Sequence, residues 1–158
     1  MAQSKPFSLL SFQIMKPISL HGHERSITTV RYNRDGDLLF SSAKDHFPNV
    51  WYAINGERLG TYGTPGAEKD PNSHGGAVWC LDVDWMTKYL VTGAADNSCR
   101  LWDVCTGKML KCIDTKSAVR SCSFSYSGNL VTFTTDKSMG QPCVINVIDV
   151  RDFNLGKN

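Results

Sequence analysis

Side chains able to do acid–base, metal or phosphate chemistry are few in this chain, and their spacing serves each purpose poorly. His21 and His23 flank Gly22 and could offer two imidazoles to a metal ion, but no third ligand stands at a fixed spacing; a zinc site needs three or four. Asp82 and Asp84 alternate, so on a strand both carboxylates would face one way, as a general acid and base must. Gly60-x-x-Gly63-x-x-Gly66 has the glycines of a phosphate-binding turn at the wrong intervals and without a helix to follow. Neither a G-x-S-x-G elbow nor a P-loop occurs, so no nucleophile or phosphate cradle is indicated. The expectation is of a protein that is not an enzyme, with no cofactor and no metal.

Composition narrows the class further. The chain has 158 residues, 41 % of them hydrophobic, with 17 Lys and Arg against 15 Asp and Glu and a net charge of +2. That length suits one domain with a real core. The charge is too balanced for the basic stripe that a phosphate backbone demands, so direct nucleic-acid binding is not expected. No apolar run is long enough for a membrane span. Six cysteines, Cys80, Cys99, Cys105, Cys112, Cys122 and Cys143, include no C-x-x-C pair. Several fall in apolar alternating runs, where a free thiol behaves as a small hydrophobe, and a reducing cytosol is expected. Residues 1–14 read as an extension before a second possible start at Met15, and residues 153–158 as a tail.

The elements that would position any site repeat along the chain. His23 stands 51 positions before His74, and the same offset joins Ile27 to Val78, Asp45 to Asp96, Trp51 to Trp102 and Gly56 to Gly107. A third unit brings Val119 under Val78 at an offset of 41 and Asp136 under Asp96 at 40. The units run over about 22–62, 74–113 and 115–151. The longer first interval is accounted for by residues 63–73, GTPGAEKDPNS, a Pro, Gly and charge cluster that reads as a loop. Within each unit, short β-branched and aromatic runs such as Ile27-x-x-Val30-x-Tyr32 and Leu38-Leu39-Phe40 alternate with turn residues, Asp35-Gly36 and Ser127-Gly128 among them. Four strands per unit are expected, with no helix beyond a turn. The counterparts of Asp82 and Asp84 become Arg31 with Asn33 and Ser123 with Ser125, polar positions at a strand end rather than an acid–base pair.

Four strands in a period in the low forties, with Gly22-His23 near the front and a Trp-Asp pair, Trp102-Asp103, near the back, resemble the WD-repeat β-propeller family. The fold class that follows is all-β, with about three four-stranded blades of an incomplete ring. The resemblance implies a side-chain relay within a blade, His23, Ser41, Asp45 and Trp51 in unit one and His74, Thr92, Asp96 and Trp102 in unit two. Tyr52 stands where unit two has Asp103. Imidazole can accept and donate, a hydroxyl does both, carboxylate only accepts and indole only donates, so the four can satisfy one another in a buried setting. Unit three departs from the pattern, with Thr115 at the His position and Ile148-Asp149 in place of Trp-Asp.

Longer strings, MKPISLHGHERSIT, NRDGDLLF, NGERLGTY and DNSCRLWD among them, resemble the N-terminal part of the i-subunit family of eukaryotic translation initiation factor 3, from Met15 to Asp152. That resemblance implies a non-enzymatic cytoplasmic scaffold, with the b and g subunits and the small ribosomal subunit as partners, that supports messenger RNA recruitment and scanning. A WD-repeat signalling adaptor associated with receptor kinases is the alternative. The family closes about seven blades, on the order of 300 residues, so the expectation is of a truncated form or a diverged paralogue, in which residues 16–20 would be the outer strand of an absent last blade. Partners of WD-repeat proteins often dock on the rim that flanks the first strand and tight turn of each blade. Here that rim maps to Ser26, Thr28 and Lys44, then Ala77, Trp79 and Ala95, then Ala118, Arg120 and Thr135.

Overall fold

The computed structural model describes residues 17–66, 70–138 and 140–151; the expected extension 1–14 and tail 153–158 lie outside the described residues. Among the described residues eleven strands form three antiparallel sheets. Sheet one holds β1 (Ile27–Tyr32), β2 (Leu38–Ala43), β3 (Asn49–Tyr52) and β4 (Arg58–Thr61) in sequence order. Sheet two repeats the order with β5 (Val78–Val83), β6 (Tyr89–Ala94), β7 (Ser98–Asp103) and β8 (Met109–Asp114). Sheet three holds β9 (Val119–Phe124), β10 (Leu130–Thr135) and β11 (Ile145–Asp149). The chain is all-β, with each sheet a blade built from successive hairpins. Sheet three has three strands among the described residues where four were expected, because β11 ends two residues short of the last described position. Pro17 to Leu20 form no ladder, although Ile18 and Leu20 lie against Gly56 of blade one.

Side chains alternate across a strand, so each blade has two faces to cover. Leu81, Leu90 and Trp102 of blade two meet Phe40, Val50 and Tyr62 of blade one. Their immediate neighbours Cys80, Val91 and Leu101 point the other way, and with Cys99 they meet Val119, Cys122, Val131 and Phe133 of blade three. Blade two is thus covered on both faces, and five of the six residues in each of β6 and β7 are buried. In β10, by contrast, Val131, Phe133 and Thr135 are buried while the residues between them are not, the signature of a sheet covered on one side.

The first hairpin turn of each blade uses the same geometry. Gly36, Thr87 and Gly128 donate their N–H to the carbonyls of Asn33, Asp84 and Ser125, and all three have positive φ, 74°, 56° and 72°. That conformation is free for glycine and costly for a β-branched residue such as Thr87. The six cysteines are free thiols; burial pushes Cys99 and Cys122 well above the ordinary thiol value, with the neighbouring Cys80 adding to it, so neither is a nucleophile.

Candidate functional site

In blades one and two the structure brings together four side chains from three separate segments. Trp51 Nε1 donates to Ser41 Oγ at 2.8 Å, Ser41 Oγ lies 2.7 Å from His23 Nε2, and His23 Nδ1 lies 2.7 Å from Asp45 Oδ2. Blade two repeats it, with Trp102 Nε1 to Thr92 Oγ1 at 2.8 Å, Thr92 Oγ1 to His74 Nε2 at 2.7 Å, and His74 Nδ1 to Asp96 Oδ2 at 2.9 Å. The proton order follows from what each group can do. Indole only donates, so the hydroxyl oxygen accepts and gives its own proton to Nε2; Nδ1 must then carry the hydrogen that the carboxylate receives. The Asp45 and Asp96 carboxylates also accept the backbone N–H of Glu24 and Gly75 respectively. Each therefore holds the loop that enters its blade.

Burial sets the electrostatics of blade two. It pushes the His74 imidazole below its ordinary value, against the pull of Asp96. Burial alone would raise the Asp96 carboxyl, but hydrogen bonds from His74, Ser98 and the Gly75 N–H hold it well below the usual carboxylate range. Arg100, itself buried, joins this group. Its Nε donates to Ser98 Oγ at 3.2 Å, Nη2 stands 3.5 Å from Asp96 Oδ2, and Nη1 donates to the Pro71 carbonyl at 2.9 Å. The guanidinium thereby ties the base of the 63–73 segment to the relay. Sequence reasoning passed over Arg100; the available signal was its position two residues before Trp102, where blade one has Asn49 and not a cation.

Blade three has no relay, and it corrects one placement. The N–H of Lys44, Ala95 and Asp136 donates to the carbonyl of Ser26, Ala77 and Ala118 in turn. Asp136 is therefore the counterpart of Ala95, not of Asp96, and Lys137 takes the carboxylate's place. Phe133 takes the hydroxyl's place, since it stands 41 positions after Thr92 and is buried in the core. Thr115 Oγ1 donates instead to the Ser117 carbonyl, and Ser117 Oγ to the Asp136 carbonyl at 2.6 Å. Thr135 consequently lies inside β10, 8 % exposed, and presents little to the rim; Asp136 occupies that edge.

The rim owes its shape to a bulge repeated in each first strand. Ile27 pairs with Ala43 but Thr29 with Ser42, Val78 with Ala94 but Cys80 with Gly93, and Val119 with Thr135 but Ser121 with Thr134. Thr28, Trp79 and Arg120 are the residues left over, and a bulge re-aims the side chain it carries. Thr28 Oγ1 donates to the Val78 carbonyl at 2.6 Å, which joins blade one to blade two. Trp79 is half-buried between two cations, with Arg120 Cζ 4.6 Å and Lys44 Nζ 5.8 Å from its ring centroid. Arg120 is held there by Asp136, Nε to Oδ2 at 2.6 Å. The Trp79 indole nitrogen is buried with no hydrogen-bond partner among the described residues. Ser26 and Ala95 are exposed beside this cluster, and Ala77 and Ala118 are half-buried.

The remaining chemical candidates have structural occupations. Asp82 Oδ2 accepts from the Phe124 N–H at 2.7 Å and from Ser123 Oγ at 3.0 Å, joining blade two to blade three. Asp84 caps its own turn, accepting the N–H of Met86, Lys88 and Tyr89. Gly63 and Gly66 have positive φ in the loop after blade one. His23 is committed to its relay, and the described residues contain no group of three or more side chains placed to hold a metal ion. No helix among them is long and apolar enough to cross a membrane.

Comparison with known proteins agrees with this architecture. The family model described as WD domain, G-beta repeat, matches residues 16–51 and 68–103. The chain is 62 % identical over 138 residues to the zebrafish (Danio rerio) protein named eukaryotic translation initiation factor 3 subunit I. It is 58 % identical over 138 residues to the human protein of that name. Each match covers 87 % of this chain and 40 % of the relative. Among solved structures, the crystal structure of the RRP9 WD40 repeats superposes with a TM-score of 0.72 at 25 % identity. The structure of U3-55K does so with 0.72 at 26 %; both cover 84 % of this chain and 38 % of the other. The chain thus carries WD repeats, its sheets are blades of a partial propeller, and it spans about two fifths of the relatives it matches.

Proposed function

We propose that this chain, built of WD-type blades, is a non-enzymatic scaffold that serves as a subunit of the translation initiation factor 3 complex. In that role it supports messenger RNA recruitment to the small ribosomal subunit and scanning, in the cytoplasm. The observation that carries the proposal is identity of 58 to 62 % across 138 residues to subunits of that factor. The same identity favours this reading over a receptor-kinase adaptor. A scaffold needs no reactive centre, and in this chain Asp82, Asp84 and the buried thiols are all committed to structure. The partners are the b and g subunits, with the ribosomal subunit reached through the complex.

The docking surface we assign is the bulged rim centred on Trp79. A tryptophan flanked by Arg120 and Lys44 has the residue types that dominate interface energetics. The test is affinity capture of the 158-residue chain from cytosol, followed by sedimentation with small ribosomal subunits. Recovery of the b and g subunits, reduced about tenfold or more for Trp79→Ala with unchanged circular dichroism, is expected. Recovery of receptor kinases without ribosomal subunits would reject the assignment; capture of b and g undiminished by Trp79→Ala would move the surface elsewhere.

A further inference from the structure

On the face opposite the Trp79 rim, the first hairpin turns of the three blades converge. Arg34, Trp85 and Tyr126 occupy the same position in successive turns, one residue after the Asn33, Asp84 and Ser125 that cap them. They form a continuous ladder, with Arg34 Cζ 4.7 Å from the Trp85 ring centroid and the Tyr126 ring 4.4 Å beyond it, tilted by 49°. Intramolecular packing does not consume these groups. Tyr126 is 78 % exposed, Met86 74 %, Tyr32 61 % and Trp85 39 %, so a large aromatic patch faces solvent where a polar turn would suffice. Arg34 makes no ion pair among the described residues, and the Tyr32 and Tyr126 hydroxyls and the Trp85 indole N–H are unused there. Tyr32, Trp85 and Tyr126 line one shallow cavity of about 250 Å³.

We propose that this ladder is a docking site for an extended, proline-containing segment of a partner protein that carries an acidic residue. Prolyl rings pack against aromatic faces, and a polyproline II strand leaves its carbonyls free for the three unused donors. One turn of that helix advances roughly 9 Å, close to the combined span of the two ladder steps. The Arg34 guanidinium, at one end and without an ion pair among the described residues, selects a carboxylate one turn away from the proline on Tyr126. A nucleic-acid strand would also find stacking rings here, but it brings one negative charge per nucleotide, and Arg34 is the one cation that lines this cavity beside Asp82 and Asp84, enough to pair a single carboxylate and too few for a phosphodiester chain. The site lies on a different face from the Trp79 rim and stands independently of the assignment made there.

The experiment is a fluorescence anisotropy titration of the full chain with a labelled peptide of repeated Pro-Pro-Glu triplets. Pro-Pro-Lys and Gly-Ser-Glu peptides and an oligouridylate serve as competing probes. Saturable binding of Pro-Pro-Glu alone is expected, weakened about tenfold by Tyr126→Ala or Trp85→Ala and unaffected by Trp79→Ala. Arg34→Glu should exchange the preference to Pro-Pro-Lys. If Trp85→Ala unfolds, the highly exposed Tyr126→Ala decides. Absence of saturation, equal binding by the folded Tyr126 variant, equal binding of Gly-Ser-Glu, or displacement by the oligouridylate would each overturn the proposal.

Discussion

Asp96 shows how much one carboxylate can organise. It accepts from His74, from the Gly75 N–H, and from the backbone and hydroxyl of Ser98, with Arg100 beside it. Asp96→Ala strands these donors and should destabilise the chain by about 1–3 kcal/mol, read as a lower midpoint in urea. The pH dependence has a definite sign. His74, held below its ordinary value of 6.5, is neutral in the fold while the unfolded chain binds a proton, so stability falls as pH drops below about 6.5. Asp96, held below its ordinary 3.8, contributes stability that is complete above that value and is lost as pH falls through the lower folded one. Thermal midpoints should therefore decline in two stages on acidification, the first one suppressed in His74→Gln. Thr87 is the opposite case, a residue whose replacement helps. Its φ of 56° matches Gly36 and Gly128, and Thr87→Gly should stabilise by about 1 kcal/mol, checked by the same denaturation, at the loss of only a long 3.4 Å contact to Asn33. The shared offset lined up His23, Asp45 and Trp51 with their partners in unit two, and the WD-repeat resemblance, not the spacing, joined them with Ser41 and Thr92 as a relay. The role of Arg100 was not, because its partner Pro71 belongs to a segment with no counterpart in the other units.

At the level of strands, periodicity carried most of what was needed. The limits of β1 coincide with the run from Ile27 to Tyr32, and the Asp35-Gly36 and Ser127-Gly128 dipeptides mark turns in the structure. What alternation could not reveal was the bulge in each first strand, since an unpaired residue leaves no trace in the sequence of its own strand. The displacement of unit three by one position, with Thr135 assigned to the rim in place of Asp136, came instead from matching Asp136 to Asp96 by residue type at an offset of 40, where the hydrogen bonds keep 41. Strand β6 offers an independent test of how closely the blades approach. A Cβ on Gly93 would collide with Val119 of blade three and come within 2.7 Å of Cys80 Sγ. Gly93→Ala should accordingly cost about 1–3 kcal/mol through displacement of β9; an unchanged urea midpoint would mean that the two sheets can part without penalty.

Across the whole molecule, protection should follow coverage. Blade two is enclosed by its neighbours, whereas blades one and three each have a face that meets no other blade among the described residues. Amide hydrogen exchange should be slowest in β6 and β7 and fastest in β11, and uniform rates across the three sheets would contradict this ordering. The number of blades was legible because each is one repeat. The rim residues Lys44, Trp79 and Arg120 were mapped through the WD-repeat resemblance, but the surface of Arg34, Trp85 and Tyr126 was not, because these are far apart in sequence and meet only when blades stand side by side. Within each sheet every strand after the first pairs with its immediate predecessor, so among the described residues no sheet waits for distant residues to complete its hydrogen bonds. A chain emerging from the ribosome at about 5–20 residues per second would release a whole blade roughly every 2–8 s. Each could zip up before the next arrived, leaving it with one greasy side bare until its successor appeared; for those seconds the nascent chain would have most need of a chaperone.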